Sequence, residues 1–185
     1  MSRIYLLVNG VHDVYYKPML RVIMPGSFDP PTHGHLNLVE RARKIYDEVY
    51  VVVAHNNQKY YTFEAEERLE MMKTLTAEWA NVHVHLWERM IVEFAQQVDA
   101  RIMIRGVRAL SDFSYEFELS MLNKGLDPEI ETLFMPTDAR YFVLRSSAIK
   151  ELVRLGGDVS AMVPSIVEAR LRERIGISSS VANRG

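Results

Sequence analysis

The sequence predicts an α/β domain on an open parallel sheet, and three observations carry that expectation. Short apolar runs alternate with segments of helical spacing through most of the 185 residues. Glycine and proline stand where the apolar runs end. Histidines, arginines and serines cluster just beyond those ends, at the edge where open α/β sheets bind anions. Strand–helix–strand units of this kind close by right-handed crossovers. Hydrophobic residues make up 48% and charged residues 25%, near the globular average, so the chain can bury a core in one domain.

Composition narrows the function. A formal charge of −2 gives no support for bulk binding to nucleic acid or a membrane surface, so basic residues that matter must act locally. No cysteine is present, which excludes disulfides and thiolate metal sites. No apolar run approaches the roughly 20 residues of a membrane helix, and a cytoplasmic protein is expected.

Residues 3–9 and 14–16 flank Asn9-Gly10 and suggest a hairpin. They lack the pattern of a signal peptide. Residues 1–18 are expected to be an extension without catalytic role, with Met19 as the natural start and the domain spanning 19–175. Residues 20–24 read as the first buried strand. Pro25 and Gly26 are expected to end it, the proline lacking a ladder donor and the glycine allowing a positive φ. After the loop, Leu36, Val39, Ala42 and Ile45 mark an amphipathic helix that begins at His33 and His35.

Residues 49–54 are a continuous apolar run, as for a strand buried on both faces. They lead into the polar loop 55–59. A helix is expected over 63–78, with Thr62 as N-cap and Leu69, Met72 and Leu75 on one face. Residues 81–88 alternate, as in a strand near a sheet edge, and a short helix follows over 90–98. His83 and His85 share a strand face, but with no third ligand in reach a solvent or interface role is favoured over metal.

Residues 101–104 form the next strand, from whose end Arg105-Gly106-Val107-Arg108 departs. Guanidinium groups there suit phosphate oxygens, and equally could pair with helix carboxylates such as Glu116 and Glu118. A helix over 112–126 carries Phe113, Phe117 and Met121 as a core or subunit-interface stripe. A strand over 130–135 closes at Pro136. Ser146 and Ser147 open a helix to Leu155, with hydroxyls and free N–H groups at its start. Gly156-Gly157-Asp158 breaks the chain. Pro164 is expected as the first residue of a helix to about Arg174, with Gly176 its stop and 176–185 a polar tail.

Two motifs resemble those of a known superfamily. Gly26-Ser27-Phe28-Asp29-Pro30 followed by Thr32-His33-Gly34-His35 is similar to the nucleotidyltransferase signature G-(S/T)-F-D-P with (H/T)-x-G-H. Arg105-Gly106-Val107-Arg108-Ala109-Leu110-Ser111-Asp112-Phe113-Ser114-Tyr115-Glu116 resembles the more specific R-G-(L/V)-R-x-x-x-D-F-x-Y-E of the phosphopantetheine adenylyltransferase family. That second pattern is not expected in nicotinate-mononucleotide adenylyltransferases, the alternative within the same superfamily. A non-catalytic nucleotide sensor on the same fold is the alternative outside enzymes.

The resemblance implies a Rossmann-like open sheet with helices on both faces and further C-terminal helices. It implies transfer of an adenylyl group from ATP to 4'-phosphopantetheine, giving dephospho-coenzyme A and pyrophosphate, with Mg²⁺ as cofactor and a homo-hexamer as the assembly. His35 and Ser27 would be catalytic. Ser27, Lys59, Ile91 and Arg105 would bind the acceptor. Ser27, Phe28, His35, Gly106, Val107, Arg108, Glu116, Tyr141, Ser146 and Ser147 would contact ATP. Arg145 and Ala148 depart from the family's run of small hydroxyl residues at the start of the helix that Ser146 and Ser147 open.

Overall fold

Five parallel strands lie in the order β3-β2-β1-β4-β5 in the computed structural model, which describes residues 18–141 and 145–176. The expected hairpin before Pro18 and the tail after Gly176 lie outside the described residues. The elements are β1 (Arg21–Gly26), α1 (His33–Ala42), β2 (Glu48–Ala54), α2 (Ala65–Leu75), β3 (Val82–Trp87), α3 (Ile91–Gln97), β4 (Ile102–Val107), α4 (Leu110–Leu126) and β5 (Glu131–Pro136). A short 3₁₀ turn (Ala139–Tyr141), α5 (Ser146–Arg154) and α6 (Ser165–Ile175) follow.

Strand alternation sorts the core into two layers. Val22, Met24, Val49, Val51 and Val53 pack with Leu38, Val39 and Ala42 of α1 and Met72 of α2. Ile23 and Val52 face the opposite way, against Val92, Phe94 and Ala95 of α3. Helices therefore cover both faces, which is why the central strands read as unbroken apolar runs. A third cluster joins Phe63 and Met71 to Ile149, Val153, Val167 and Leu171, fastening α5 and α6 beside α2.

The chain runs outward from β1 in both directions, to β2 and β3 on one side and to β4 and β5 on the other. The strand order reverses between β1 and β4, and the crevice at their carboxyl ends is where such sheets take ligands. The β1–β4 pairing covers only Val22↔Ile102 and Ile23↔Met103, so the two strands part above it.

Several boundaries differ from the sequence expectation. β1 continues through Pro25 and Gly26, which pair in register with Val52 and Val53. The carbonyl of Pro25 faces Arg105 of β4, past the point where β1 and β4 part, so the missing N–H interrupts no ladder. Gly26 does not take a positive φ; Phe28 does, at 48°. Glycine is needed at 26 because a Cβ there would lie 2.9 Å from the Phe28 ring. α1 stops at Ala42, leaving Ile45 64% exposed. α2 starts behind Glu64 rather than Thr62, because Glu64 and Glu67 form a reciprocal capping box while the Thr62 amide is taken by Asp29. β4 runs to Val107, held by full-length pairing with β5, so Arg105 and Gly106 lie inside a strand. Pro164 caps α6 from one position before its first residue.

The edge position expected for β3 is the one observed, although its histidines are not simply solvated. His83 and His85 flank the Tyr50 ring at centroid distances of 5.0 and 5.9 Å. The stripe on α4 is not core within this chain: Phe113, Phe117 and Met121 are 38, 47 and 56% exposed.

Candidate active site

A cleft of about 490 Å³ opens over the carboxyl ends of β1 and β4, and its walls are the N-termini of α1 and α5. The sequence between β1 and α1 builds its first wall. Thr32 is the N-cap of α1, and its hydroxyl accepts from the His35 amide at 3.2 Å. The His35 ring returns the contact, its Nδ1 accepting from the Thr32 amide at 3.1 Å. Histidine thus occupies the place that glutamate or glutamine usually fills in a capping box. The reciprocal pair fixes the tautomer, with the ring proton on Nε2.

Burial pushes the His35 pKa down to about 4, and the nearby guanidiniums of Arg108 and Arg105 push the same way. The imidazole is therefore neutral at neutral pH. It is a fixed N–H donor in the wall of a cleft that Arg105 and Arg108 also line, with the Phe28 ring edge-on to it at 5.2 Å.

The opposite wall comes from β4 and α4. Arg105 makes a two-pronged contact with Glu116, 2.6 Å from Nε to Oε2 and 2.7 Å from Nη2 to Oε1, and donates from Nη1 to the Pro25 carbonyl. Glu116 is thus the arginine's partner, and Glu118 is not. Arg108 donates to Asp112 at 3.0 Å. Gly106, between the arginines, faces Leu38 of α1, whose Cδ1 would lie 2.3 Å from any Cβ at 106. Glycine allows α1 to approach β4 closely enough to bring His35 beside the arginines.

Ser27, Phe28, His35, Arg105, Gly106, Arg108, Glu116, Tyr141, Ser146 and Ser147 all line the cleft. Ile91 lines a smaller adjoining cavity of about 180 Å³, which shares Pro25, Arg105 and Glu116 with it. Lys59 and Val107 are not among the lining residues; Lys59 is exposed on the turn after β2.

Two buried groups behind the cleft were missed. Asp29 accepts from the amides of Thr62 and Phe63 at 2.9 and 3.0 Å and pairs with Lys150 of α5 at 2.9 Å. Arg68, fully buried, donates to the carbonyls of Phe63, Ser27 and Ala54 at 3.1, 2.7 and 3.2 Å and contacts His55 Nδ1 at 2.8 Å. Its guanidinium lies 4.1 Å from the Tyr61 ring centre. Asp29 stands in the first loop motif and Arg68 closes Glu66-Glu67-Arg68, which resembles the family's E-E-R helix start, but neither is among the expected site residues.

Comparison with known proteins shows the family. Residues 23–152 match the family model described as Cytidylyltransferase-like. A Streptomyces coelicolor protein named phosphopantetheine adenylyltransferase is 45% identical over 157 residues, covering 85% of this chain and 98% of that one. A Desulforudis audaxviator protein of the same name is 44% identical over 155 residues, covering 84% and 95%. The fold matches a solved candidate nicotinate-nucleotide adenylyltransferase from Vibrio parahaemolyticus with a TM-score of 0.62 at 17% identity, over 83% of this chain and 99% of that one. Identity at this level along nearly the whole of each relative places the chain in the phosphopantetheine adenylyltransferase family.

Proposed function

We propose that this chain transfers the adenylyl group of ATP to 4'-phosphopantetheine, releasing dephospho-coenzyme A and pyrophosphate, a step of coenzyme A synthesis. The observation that carries this reading is a neutral, oriented imidazole set against two arginines at a sheet crevice, in a chain of this family. An acceptor phosphate oxygen attacks the α-phosphorus of ATP, and the bond from that phosphorus to the bridging oxygen breaks, the electron pair leaving with pyrophosphate. The acceptor is already ionised near neutral pH, so no strong base is required. The protein supplies placement and fixed positive charge.

In this reading His35 donates from Nε2 to the α-phosphate as charge builds there. Ser27 and Arg105 hold the acceptor phosphate, and Ile91 contacts its pantetheine arm. Arg105 meets the acceptor while its other face stays on Glu116, which keeps the guanidinium aimed. Phe28, Gly106, Val107, Arg108, Glu116, Tyr141, Ser146 and Ser147 surround the nucleotide, and Lys59 reaches the acceptor from its loop.

Mg²⁺ arrives with ATP. Among the described residues no three His, Asp or Glu side chains converge, and Asp112 and Glu116 face arginines. Phosphate oxygens and water would hold the ion, whose charge offsets that of the triphosphate. The exposed apolar stripe of α4 supports a subunit interface, and we assign it to a homo-hexamer; light scattering on the purified chain checks that state. No described helix is long and apolar enough to cross a membrane, and a cytoplasmic location fits the substrates.

The test is pyrophosphate release from ATP and Mg²⁺ with phosphopantetheine or nicotinate mononucleotide as acceptor. Release only with phosphopantetheine is expected. Release only with the mononucleotide, or with neither, would overturn the reading. Arg105→Ala should raise the KM for phosphopantetheine more than that for ATP.

A further inference from the structure

Lys59 is exposed on the turn after β2, outside the cleft walls. A flexible ammonium loses rotamer freedom when it meets a ligand, and a turn that also had to be ordered would add to that cost. What fixes the turn therefore bears on how well Lys59 can act.

The turn is tied to itself through Asn56. Its carbonyl accepts from the Lys59 amide and its Oδ1 from the Gln58 amide, each at 2.9 Å. The Asn56 amide donates to the Tyr61 hydroxyl at 3.1 Å, closing the segment across its base. His55 extends the β2–β3 ladder, its amide donating to the Trp87 carbonyl at 2.9 Å.

Tyr61 links this turn to the interior. Its ring centre lies 4.1 Å from the buried guanidinium of Arg68 and 5.1 Å from the centre of the His55 ring. A desolvated guanidinium over an aromatic face is among the stronger cation–π contacts. Arg68 Nη2 meets His55 Nδ1 at 2.8 Å; a guanidinium can only donate, so that nitrogen accepts and the ring proton sits on Nε2. Nη1 of the same guanidinium holds the Ser27 carbonyl at 2.7 Å. One buried cation thus sets the place of Ser27 and, through Tyr61 and His55, that of the Lys59 turn.

We infer that Tyr61 is a positioning residue for Lys59: its ring, seated on Arg68 beside His55, and its hydroxyl, holding the Asn56 amide, fix the turn from which Lys59 meets the acceptor phosphate. The inference rests on the role given to Lys59 in the adenylyl-transfer reading above.

Titration calorimetry of 4'-phosphopantetheine against the full chain tests it, in a double-mutant cycle of Tyr61→Leu with Lys59→Ala. Lys59→Ala should weaken binding about tenfold, at the low end for a hydrogen bond to a charged group. Tyr61→Leu should weaken it about fivefold, the upper end for an exposed cation–π contact, and raise the KM for phosphopantetheine but not that for ATP. Tyr61→Phe keeps the ring on Arg68 and should recover most of the loss. In the Lys59→Ala background, Tyr61→Leu should change affinity by less than about twofold. His55→Ala, which removes the other contact of the turn with Arg68, provides a second cycle with the same expectation. A folded Tyr61→Leu variant that binds like the parent would overturn the proposal. An equal loss with and without Lys59 would also overturn it, since Tyr61 would then act through Arg68 and Ser27. Unchanged binding in Lys59→Ala would overturn it too, while pyrophosphate release with phosphopantetheine would still uphold adenylyl transfer. If the cycle shows the coupling yet no pyrophosphate is released from ATP, the adenylyl-transfer reading fails and the positioning role of Tyr61 stands.

Discussion

The Nη1 of Arg68 lies 2.7 Å from the carbonyl oxygen of Ser27, so a buried side chain of α2 fixes the backbone of a residue that lines the cleft. The same guanidinium reaches the carbonyls of Ala54 and Phe63, tying together the segments that leave β1 and β2 and the approach to α2. An ammonium at that site cannot match the fork. Arg68→Lys should therefore cost about 3 kcal/mol, given about 1–3 kcal/mol for each buried acceptor left unsatisfied. Urea denaturation measures this; a variant as stable as the parent would show the bonds to be incidental. Turnover should fall further than stability explains, since a shift of about 1 Å at reacting groups can cost roughly 10²-fold.

His35 should be silent in the pH profile between 5 and 7. Its pKa lies near 4, below the ordinary 6.5, so the native ring stays neutral through that window. The sign for stability follows. The unfolded chain takes up a proton on this ring below about 6.5 and the folded chain does not, so the contribution is complete above 6.5 and is lost as pH falls toward 4. The loss is at most about 3 kcal/mol, from 1.36 kcal/mol per pKa unit. An NMR titration of the ring reads the value itself, and a midpoint near 6.5 would contradict the assignment. His35→Ala should lose about 2.7–4 kcal/mol of transition-state stabilisation, the range for one deleted oxyanion donor.

Gly106 is set by Leu38. Gly106→Ala drives a methyl into the Leu38 side chain and should destabilise by about 1–3 kcal/mol, as overpacking does. In a Leu38→Ala background the same change should cost almost nothing. Equal costs in the two backgrounds, measured as a double-mutant cycle, would place the reason elsewhere.

Lys150 anchors the base of α5 to Asp29 of the first loop. Lys150→Met leaves that buried carboxylate with its two amide donors but without its cation, for a loss of about 1–3 kcal/mol. Because Ser146 and Ser147 open the same helix, the KM for ATP should rise while that for the acceptor holds. A parallel rise in both would mean the whole cleft had moved.

How much of this was legible in the sequence depended on how local the physics is. Apolar runs such as residues 49–54 and the spacing of Leu36, Val39 and Ala42 report burial directly, so the sheet and its helices could be read in order. Thr32 and His35 sit three residues apart on one helix turn, and their motif survived intact as a capping box. Long-range contacts left no such trace. The Thr62 amide is spent on a carboxylate 33 residues away, which moved the start of α2. Gly26 looked like a turn residue, but its neighbour Phe28 takes the unusual φ and presses its ring on the glycine. The sequence allows Arg105 either to reach a phosphate or to pair with a helix carboxylate, and in the fold it pairs with Glu116. Lys59 matched a motif position, yet its loop leaves it outside the cleft walls.

The first loop is fastened by the segments that follow the sheet. Lys150 grips Asp29, the carbonyl of Met162 receives the amide of His33, and Arg174 reaches the carbonyl of Thr62. A nascent chain that has emerged only through β5 has every strand of the sheet but lacks the groups that clamp its catalytic rim. Competence for chemistry must therefore wait until α6 has been made, well after the scaffold can assemble.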